Sequence, residues 1–319
     1  MISNHFCVSL ISDLKKQGYK QFEIAKELGV DPSTICRELK RNLFTGKYSP
    51  LTAQSESSLR QKNKVKRSSI TKSIEKYIRT KLKEDWSPEQ IARRLKLDTG
   101  ASIHHETIYQ FIYRNKKAGG KLYKYLRHKN KKYHCRTKEY QVRGAIIDRV
   151  MINKRPKIVD KKKRIGDLEI DTIIGKDHKG ALVTVVDKKS KFTLIKKVQS
   201  KQAFEVSEAL IEMLTPIKPL LHTITSDNGK EFAYHKDVSS ALDTDFYFAN
   251  PYHSWERGLN EHTNGLIRQY IPKKSEFENI SKEEIVTIQN RLNHRPRKSL
   301  NYKTPFEVFM IAFIKKMAA

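Results

Sequence analysis

Three carboxylates stand where a carboxylate is costly unless it has a task. Asp171 interrupts the apolar run Leu168–Ile174, Asp227 closes the run Thr223-Ile-Thr-Ser, and Glu261 lies in Arg257-Gly-Leu-Asn-Glu-His-Thr-Asn264. Burying an isolated carboxylate is expensive unless it is paired or metal-bound. Three converging on one point would make a divalent-metal site able to cut and join phosphodiesters. An oxygen-only donor set suits Mg²⁺, with Mn²⁺ as substitute, rather than zinc. The chain has no Gly-rich phosphate loop of the nucleotide-hydrolase type, so this chemistry would not need ATP.

The elements that must position these groups follow from periodicity. Leu168–Ile174 reads as a strand, Gly180–Val186 as a second, Asp187–Ser190 as a turn and Lys191–Val198 as a third strand. A helix follows over about 202–214, then a strand ending at Asp227, a short strand at Phe246–Phe248 and a helix through Glu261. This order predicts an α/β core, a mixed sheet flanked by helices. Glu169 and Asp171 share one strand face, because side chains alternate with period two, so Glu169 rivals Asp171 as the site carboxylate. Asp227 falls at the C-terminal end of its strand, where such sheets place ligands. Glu261, Gly265 and Arg268 form one helical stripe; the glycine keeps it low for a DNA backbone and the arginine could clamp a phosphate. Taken singly, an aspartate at a strand end such as Asp227 is usually a turn or cap residue, and a helix glutamate on a basic protein such as Glu261 usually a surface charge. Asp167, Asp177, Asp187, Glu231 and Glu256 read as turn or surface charges.

Ahead of this core the chain is helical. Ile11, Leu14, Phe22, Ile24, Ala25 and Leu28 recur at helical spacing, Gly29 breaks the pattern and Asp31-Pro32 restarts it. Ala25, Gly29 and Ile35 fit a helix-turn-helix: a small residue at the crossing, a glycine in the turn, an aliphatic anchor on the second helix. Ser33, Thr34, Arg37, Lys40 and Arg41 would face outward toward base edges and phosphates. Ser87-Pro-Glu-Gln90 and His104–Ile112 predict a second, similar unit, with His104 and His105 capping rather than binding metal. The expected organisation is a helix-turn-helix domain over 1–54, a basic linker over 55–69, a second helical unit over 70–115, a basic linker over 116–159 and a catalytic core over 160–319.

The balance of charge names the partner. Lys and Arg number 64 against 35 acidic residues, a net charge of +29. Such an excess favours polyanions, chiefly nucleic acid. Between Arg114 and Arg143 only Glu139 is acidic among interleaved tyrosines, which predicts a phosphate-contacting segment that orders on DNA. The three cysteines are scattered, so neither a disulfide framework nor a zinc finger is expected; His128, His134 and Cys135 lie in a lysine-rich run and carry little weight as metal ligands. The sequence carries no signal-peptide pattern or membrane-length apolar run, and the protein is expected to be cytosolic.

Several stretches together resemble the bacterial insertion-sequence transposases of the IS-thirty family. They are Gly166-Asp-Leu-Glu-Ile-Asp-Thr-Ile-Ile-Gly175, Leu182–Lys191, Thr225-Ser-Asp-Asn-Gly-Lys-Glu-Phe232, Trp255–Pro272, Leu292–Leu300 and Lys303-Thr-Pro305. The resemblance covers nearly the whole chain. It implies a ribonuclease-H-like, integrase-like core with a mixed five-stranded sheet behind N-terminal helix-turn-helix units. It places the catalytic, metal-binding triad on Asp171, Asp227 and Glu261, against Glu169, and the basic residue two turns on at Arg268. It further implies Mg²⁺-dependent DNA strand cleavage and transfer, binding to terminal inverted repeats and target DNA, and a bacterial, nucleoid-associated homo-oligomer, a dimer or larger. The chain departs from the family at Asp167-Leu168, where a tryptophan is usual. Two other classes compete: a DNA-binding regulator with an inactive core, and a ribonuclease-H-type nuclease that does not join strands.

Overall fold

A computed structural model describes residues 5–44, 47–63, 69–127, 146–251, 253–273 and 275–318. Most of the segment read as a DNA-ordered basic run, with His128, His134 and Cys135, lies outside the described residues. The chain divides into two compact units, 1–68 and 69–319.

In the first unit, α1 (His5–Lys16), α2 (Gln21–Glu27) and α3 (Pro32–Asn42) are followed by a small antiparallel pair, β1 (Leu43–Phe44) and β2 (Lys47–Tyr48), and by α4 (Pro50–Asn63). Ile11, Ile24, Ala25, Ile35, Leu39 and Ala53 close its core. Gly29 takes φ +62°, a left-handed turn that favours glycine. The Asp31 carboxylate accepts from the Ser33 N–H at 2.8 Å, which caps α3. The stretch expected to be a linker from residue 55 is helical to Asn63. Glu56, Leu59, Arg60, Gln61 and Lys62 are good helix formers, no Gly or Pro interrupts them, and Arg60 ties α4 back to Asn42 of α3 at 2.6 Å.

The second unit opens with α5 (Lys72–Lys83), α6 (Pro88–Thr99) and α7 (His105–Lys117), packed through Ile78, Leu82, Ile91, Leu95, Ile108 and Ile112. Ser87 and Gln90 form the expected capping box on α6, and His104 Nδ1 accepts from the Glu106 N–H. These helices are fastened to the C-terminal end of the chain. Arg94 of α6 forks onto Glu307 at 2.8 and 2.5 Å, and Tyr302 donates to Glu89 at 2.8 Å.

Five strands make the central sheet: β3 (Asp167–Ile174), β4 (Ala181–Asp187), β5 (Thr193–Val198), β6 (Thr223–Ser226) and β7 (Asp245–Phe248). Their order is β5-β4-β3-β6-β7; the β5-β4-β3 pairs are antiparallel and β3-β6-β7 are parallel. That is the mixed ribonuclease-H-like arrangement expected. Alternation along β3 sends Leu168 and Ile170 into a core with α8 (Ala203–Leu214) and α9 (His235–Leu242). Ile173 goes to the opposite core, with α10 (Gly258–Ile267) and α11 (Lys282–Asn293). Asp171, two residues before Ile173, therefore looks toward α10. A last helix, α12 (Pro305–Met317), buries Phe309 beside Ile165 and Leu220.

Both outer strands have covered edges. On β5, the α11 amides replace a neighbouring strand. Thr193 N–H donates to Asn293 Oδ1, Ile195 N–H donates to Gln289 Oε1, and Asn293 Nδ2 donates to Thr193 O, each at 2.8 Å. On β7, Phe248 N–H donates to Val150 O at 2.8 Å and Met151 bridges the same residue. Residues 146–159, expected to be linker, therefore belong to the core, with Ile146 and Val159 buried. Two carboxylates expected at the surface are also buried. Asp167 accepts from Thr223 Oγ1 at 2.8 Å and from the Arg164 fork, and Glu231 accepts from Thr172 Oγ1 at 2.9 Å. Asp187 is the turn residue expected, but it too is buried, held by the N–H groups of Gly166, Lys189 and Ser190.

Candidate active site

Strand register brings the first two carboxylates together. In the parallel pair, Glu169 lies level with Thr225. Two residues further along come Asp171 on β3 and Asp227 just past β6, the two strands being about 4.8 Å apart. Gly229 N–H donates to Asp227 Oδ1 at 2.9 Å, a tight turn that fixes this carboxylate just beyond β6. Arg149 holds the next residue, Asn228, at 2.7 Å.

One guanidinium spans the pair. Arg257 Nη1 lies 3.7 Å from Asp171 Oδ1 and Nη2 lies 3.2 Å from Asp227 Oδ2, while Nη1 also donates to Ile170 O at 3.0 Å. Asn264 completes the clamp: its Nδ2 donates to Asp171 Oδ2 at 2.9 Å, and its Oδ1 accepts from Thr184 Oγ1 at 3.1 Å. Arg257 and Asn264 stand one turn either side of Glu261, so the α10 stripe that carries the glutamate also grips the aspartates.

Burial pushes the Asp171 carboxyl up to about 6; Arg257 opposes this, and the nearby Asp227 charge adds to it. Its side chain keeps 21% of its surface exposed, so solvent still reaches it. An ionised Asp171 is short of positive charge even with Arg257 in place.

The remaining predicted residues fall as follows. Glu261 is exposed on α10. Gly265 is also exposed, and a methyl group there would meet nothing within 4 Å among the described residues, so their packing does not demand the glycine. Arg268 is not brought to the aspartates. It caps α10, donates to Ile174 O at 2.8 Å and Pro272 O at 3.2 Å, and lies over the Phe277 ring. Glu169 is not brought to the aspartate pair. It pairs with Lys188 at 2.7 Å, both side chains almost wholly buried, and accepts from the Asn260 N–H at the start of α10. On α3, Ser33, Arg37, Lys40 and Arg41 are exposed and Thr34 is half-buried.

Sequence reasoning missed Arg257, Asn264, Thr184 and the Glu169–Lys188 pair. The helical spacing around Glu261 was the available signal for the first two.

The donor set fits a hard cation. Two carboxylates already converge on a positive group, and every predicted ligand offers oxygen. Among the described residues no three acidic, histidine or cysteine side chains form a ready cage, so the fold presents the aspartate pair rather than a closed triad.

The chain is similar to several known proteins. Residues 8–42 match the family model of a helix-turn-helix domain. The catalytic core domain of BIV integrase is similar in structure with TM-score 0.38 and 15% identity, over 47% of this chain and 97% of that one. The transposase InsI for insertion sequence element IS30A of Escherichia coli (strain K12) is 34% identical, over 89% of this chain and 77% of its own. The transposase for insertion sequence element IS4351 of Bacteroides fragilis is 48% identical, over 90% of this chain and 88% of its own. With relatives of that identity along almost its whole length, the chain belongs to the IS30-type insertion-sequence transposases, DNA-recombining enzymes of the DDE class.

Proposed function

We propose that this chain cleaves and joins DNA strands at the terminal inverted repeats of its own element, with Asp171, Asp227 and Glu261 as ligands of Mg²⁺, or of Mn²⁺ in its place. The observation that carries this is the meeting of Asp171 and Asp227 on one guanidinium, under the helix that bears Glu261. A divalent ion supplies activation of the attacking oxygen and charge relief at the leaving oxygen. The chain's own groups do the positioning. Asn264, braced by Thr184, fixes the rotamer of Asp171, and the Asp227 turn fixes that of its partner. Arg257 neutralises the pair in the free protein and is placed to meet a DNA phosphate when an ion takes over that duty. The exposed face of α3 would read the repeats through Ser33, Thr34, Arg37, Lys40 and Arg41. Because two ends must be held together, the working form is a dimer or larger, acting at the nucleoid.

The test is strand cleavage and joining on DNA carrying the element's ends, with wild type and Glu261→Gln. Joined products lost in the variant support the proposal. Cleavage that survives the substitution rejects Glu261 as a ligand, and repeat binding without cleavage in either cation favours a regulator.

A further inference from the structure

The residues on either side of Arg257 in sequence, Glu256 and Gly258, line a cleft of about 720 Å³. Gly258 and Leu259, which follow Arg257, and Glu169, two residues before Asp171, line it together with Arg155, Lys162, Lys191 and Trp255. Its size falls in the range of roughly 300–1,000 Å³ that holds one drug-sized ligand. A DNA duplex could not enter, but a single nucleotide could.

The charges in the cleft are not balanced. Arg155 pairs with Asp160 and Lys188 with Glu169, which leaves Lys162 and Lys191 without a carboxylate partner among the described residues. Burial and the neighbouring Lys162 push the Lys191 ammonium down against the pull of Asp187 and Glu169, and its Nζ donates only to the Lys188 carbonyl among the described residues, so an anion here would relieve a repulsion already built in. Arg155 is itself 7% exposed, and its Nε has no hydrogen-bond partner among the described residues. The chemistry asks for a phosphate.

Trp255 supplies the other half. It is 70% exposed at the rim. It is held in place all the same: its ring stacks on His253 with centroids 4.4 Å apart, His253 contacts Glu256, and Glu256 accepts two hydrogen bonds from Asn250. A large aromatic face fixed from behind and open in front is a stacking platform for a base.

From this we infer that the cleft takes one unpaired nucleotide of the DNA strand next to the scissile bond, its phosphate toward Lys162 and Lys191 and its base on Trp255. The inference rests on the proposed strand-cleavage activity of the adjoining aspartates. It gives the enzyme a way to hold a locally opened end, since a base drawn from the stack cannot slip back while it lies on the indole.

The experiment uses the full-length protein and duplexes carrying the element's ends, with 2-aminopurine at successive positions around the cleaved bond, in EDTA. One position should change its fluorescence on binding, Trp255→Ala should abolish that change, and Trp255→Phe, which keeps a stacking face, should retain it. With the divalent ion added, Trp255→Ala should slow cleavage of intact DNA by about 5- to 150-fold, the range for one base stack. On a duplex abasic at that same position the penalty should shrink to about twofold, as expected when both partners of one contact are removed. No responsive position, together with an equal Trp255→Ala penalty on every abasic duplex, overturns the inference. A fluorescence response without any cleavage supports the cleft and counts against the catalytic proposal alone.

Discussion

Replacing the first aspartate should make the metal-free enzyme more stable while it abolishes activity. The Asp171 carboxyl titrates at about 6 against an ordinary 3.8. At 1.36 kcal/mol per unit, keeping it ionised at neutral pH costs about 3 kcal/mol. Asp171→Asn removes that cost, with the attraction of Arg257 already included in the net shift. The amide can still accept from Asn264, but its NH₂ group cannot accept from the Thr172 N–H, which loses about 1 kcal/mol. The expected gain is about 2 kcal/mol, or roughly 4–8 °C in Tm for a unit of this size. The sign with pH follows from the raised value. Folding favours the protonated form, so the stabilisation is fully present below about pH 4 and is lost as pH rises through 6. Wild type and variant should therefore diverge between pH 4 and 6 and run parallel above 7. Scanning calorimetry in EDTA measures this, and adding Mg²⁺ should raise the wild type but not the variant. A variant that melts at or below the wild type in EDTA at pH 7.5 would refute the account of Asp171 as a charge held against its environment.

Arg257→Gln should take one positive charge from between the two aspartates, so its Tm in EDTA should fall and Mn²⁺ should restore more of it than in wild type, as read by thermal melts. Glu169→Gln should destabilise by about 3–5 kcal/mol, because Lys188 then stays buried and unpaired, and adding Lys188→Met should recover much of the loss in urea titrations. Hydrogen bonding to Arg94 holds the Glu307 carboxyl down at about 2, so its contribution is present above about pH 4.5 and fades as pH falls toward 2; Arg94→Ala should speed amide exchange in α12 at neutral pH. Arg37→Ala and Lys40→Ala should each weaken repeat binding and lower the salt slope by about one, while Ser33 and Thr34 variants should alter sequence preference.

The strands, the Glu261 helix and the first helix-turn-helix were legible because each rests on local periodicity and caps. What escaped was set by partners distant in sequence. Asp167 and Glu231 look like surface charges until Thr223 and Thr172 are brought against them. Glu169 and Asp171 share a strand face, and only the arrival of Lys188 and Asn260 seals one while the other keeps an opening. The stripe continuing from Glu261 to Arg268 assumed an unbroken helix. The helix ends at Ile267, and the arginine turns to strand and loop carbonyls instead. The basic stretch after residue 55 shows that polarity alone does not mark a linker when the residues favour a helix.

A row of unpaired strand amides invites any passing strand. On β5 the invitation is withdrawn by a coincidence of two periods. Four residues along a helix advance about 6.0 Å, and two residues along a strand advance about 6.6 Å. Gln289 and Asn293 can therefore reach Ile195 and Thr193 in step, as rungs offered by a helix. Where Thr193 and Ile195 are taken by α11, that margin of the sheet is closed to zipping with any other strand.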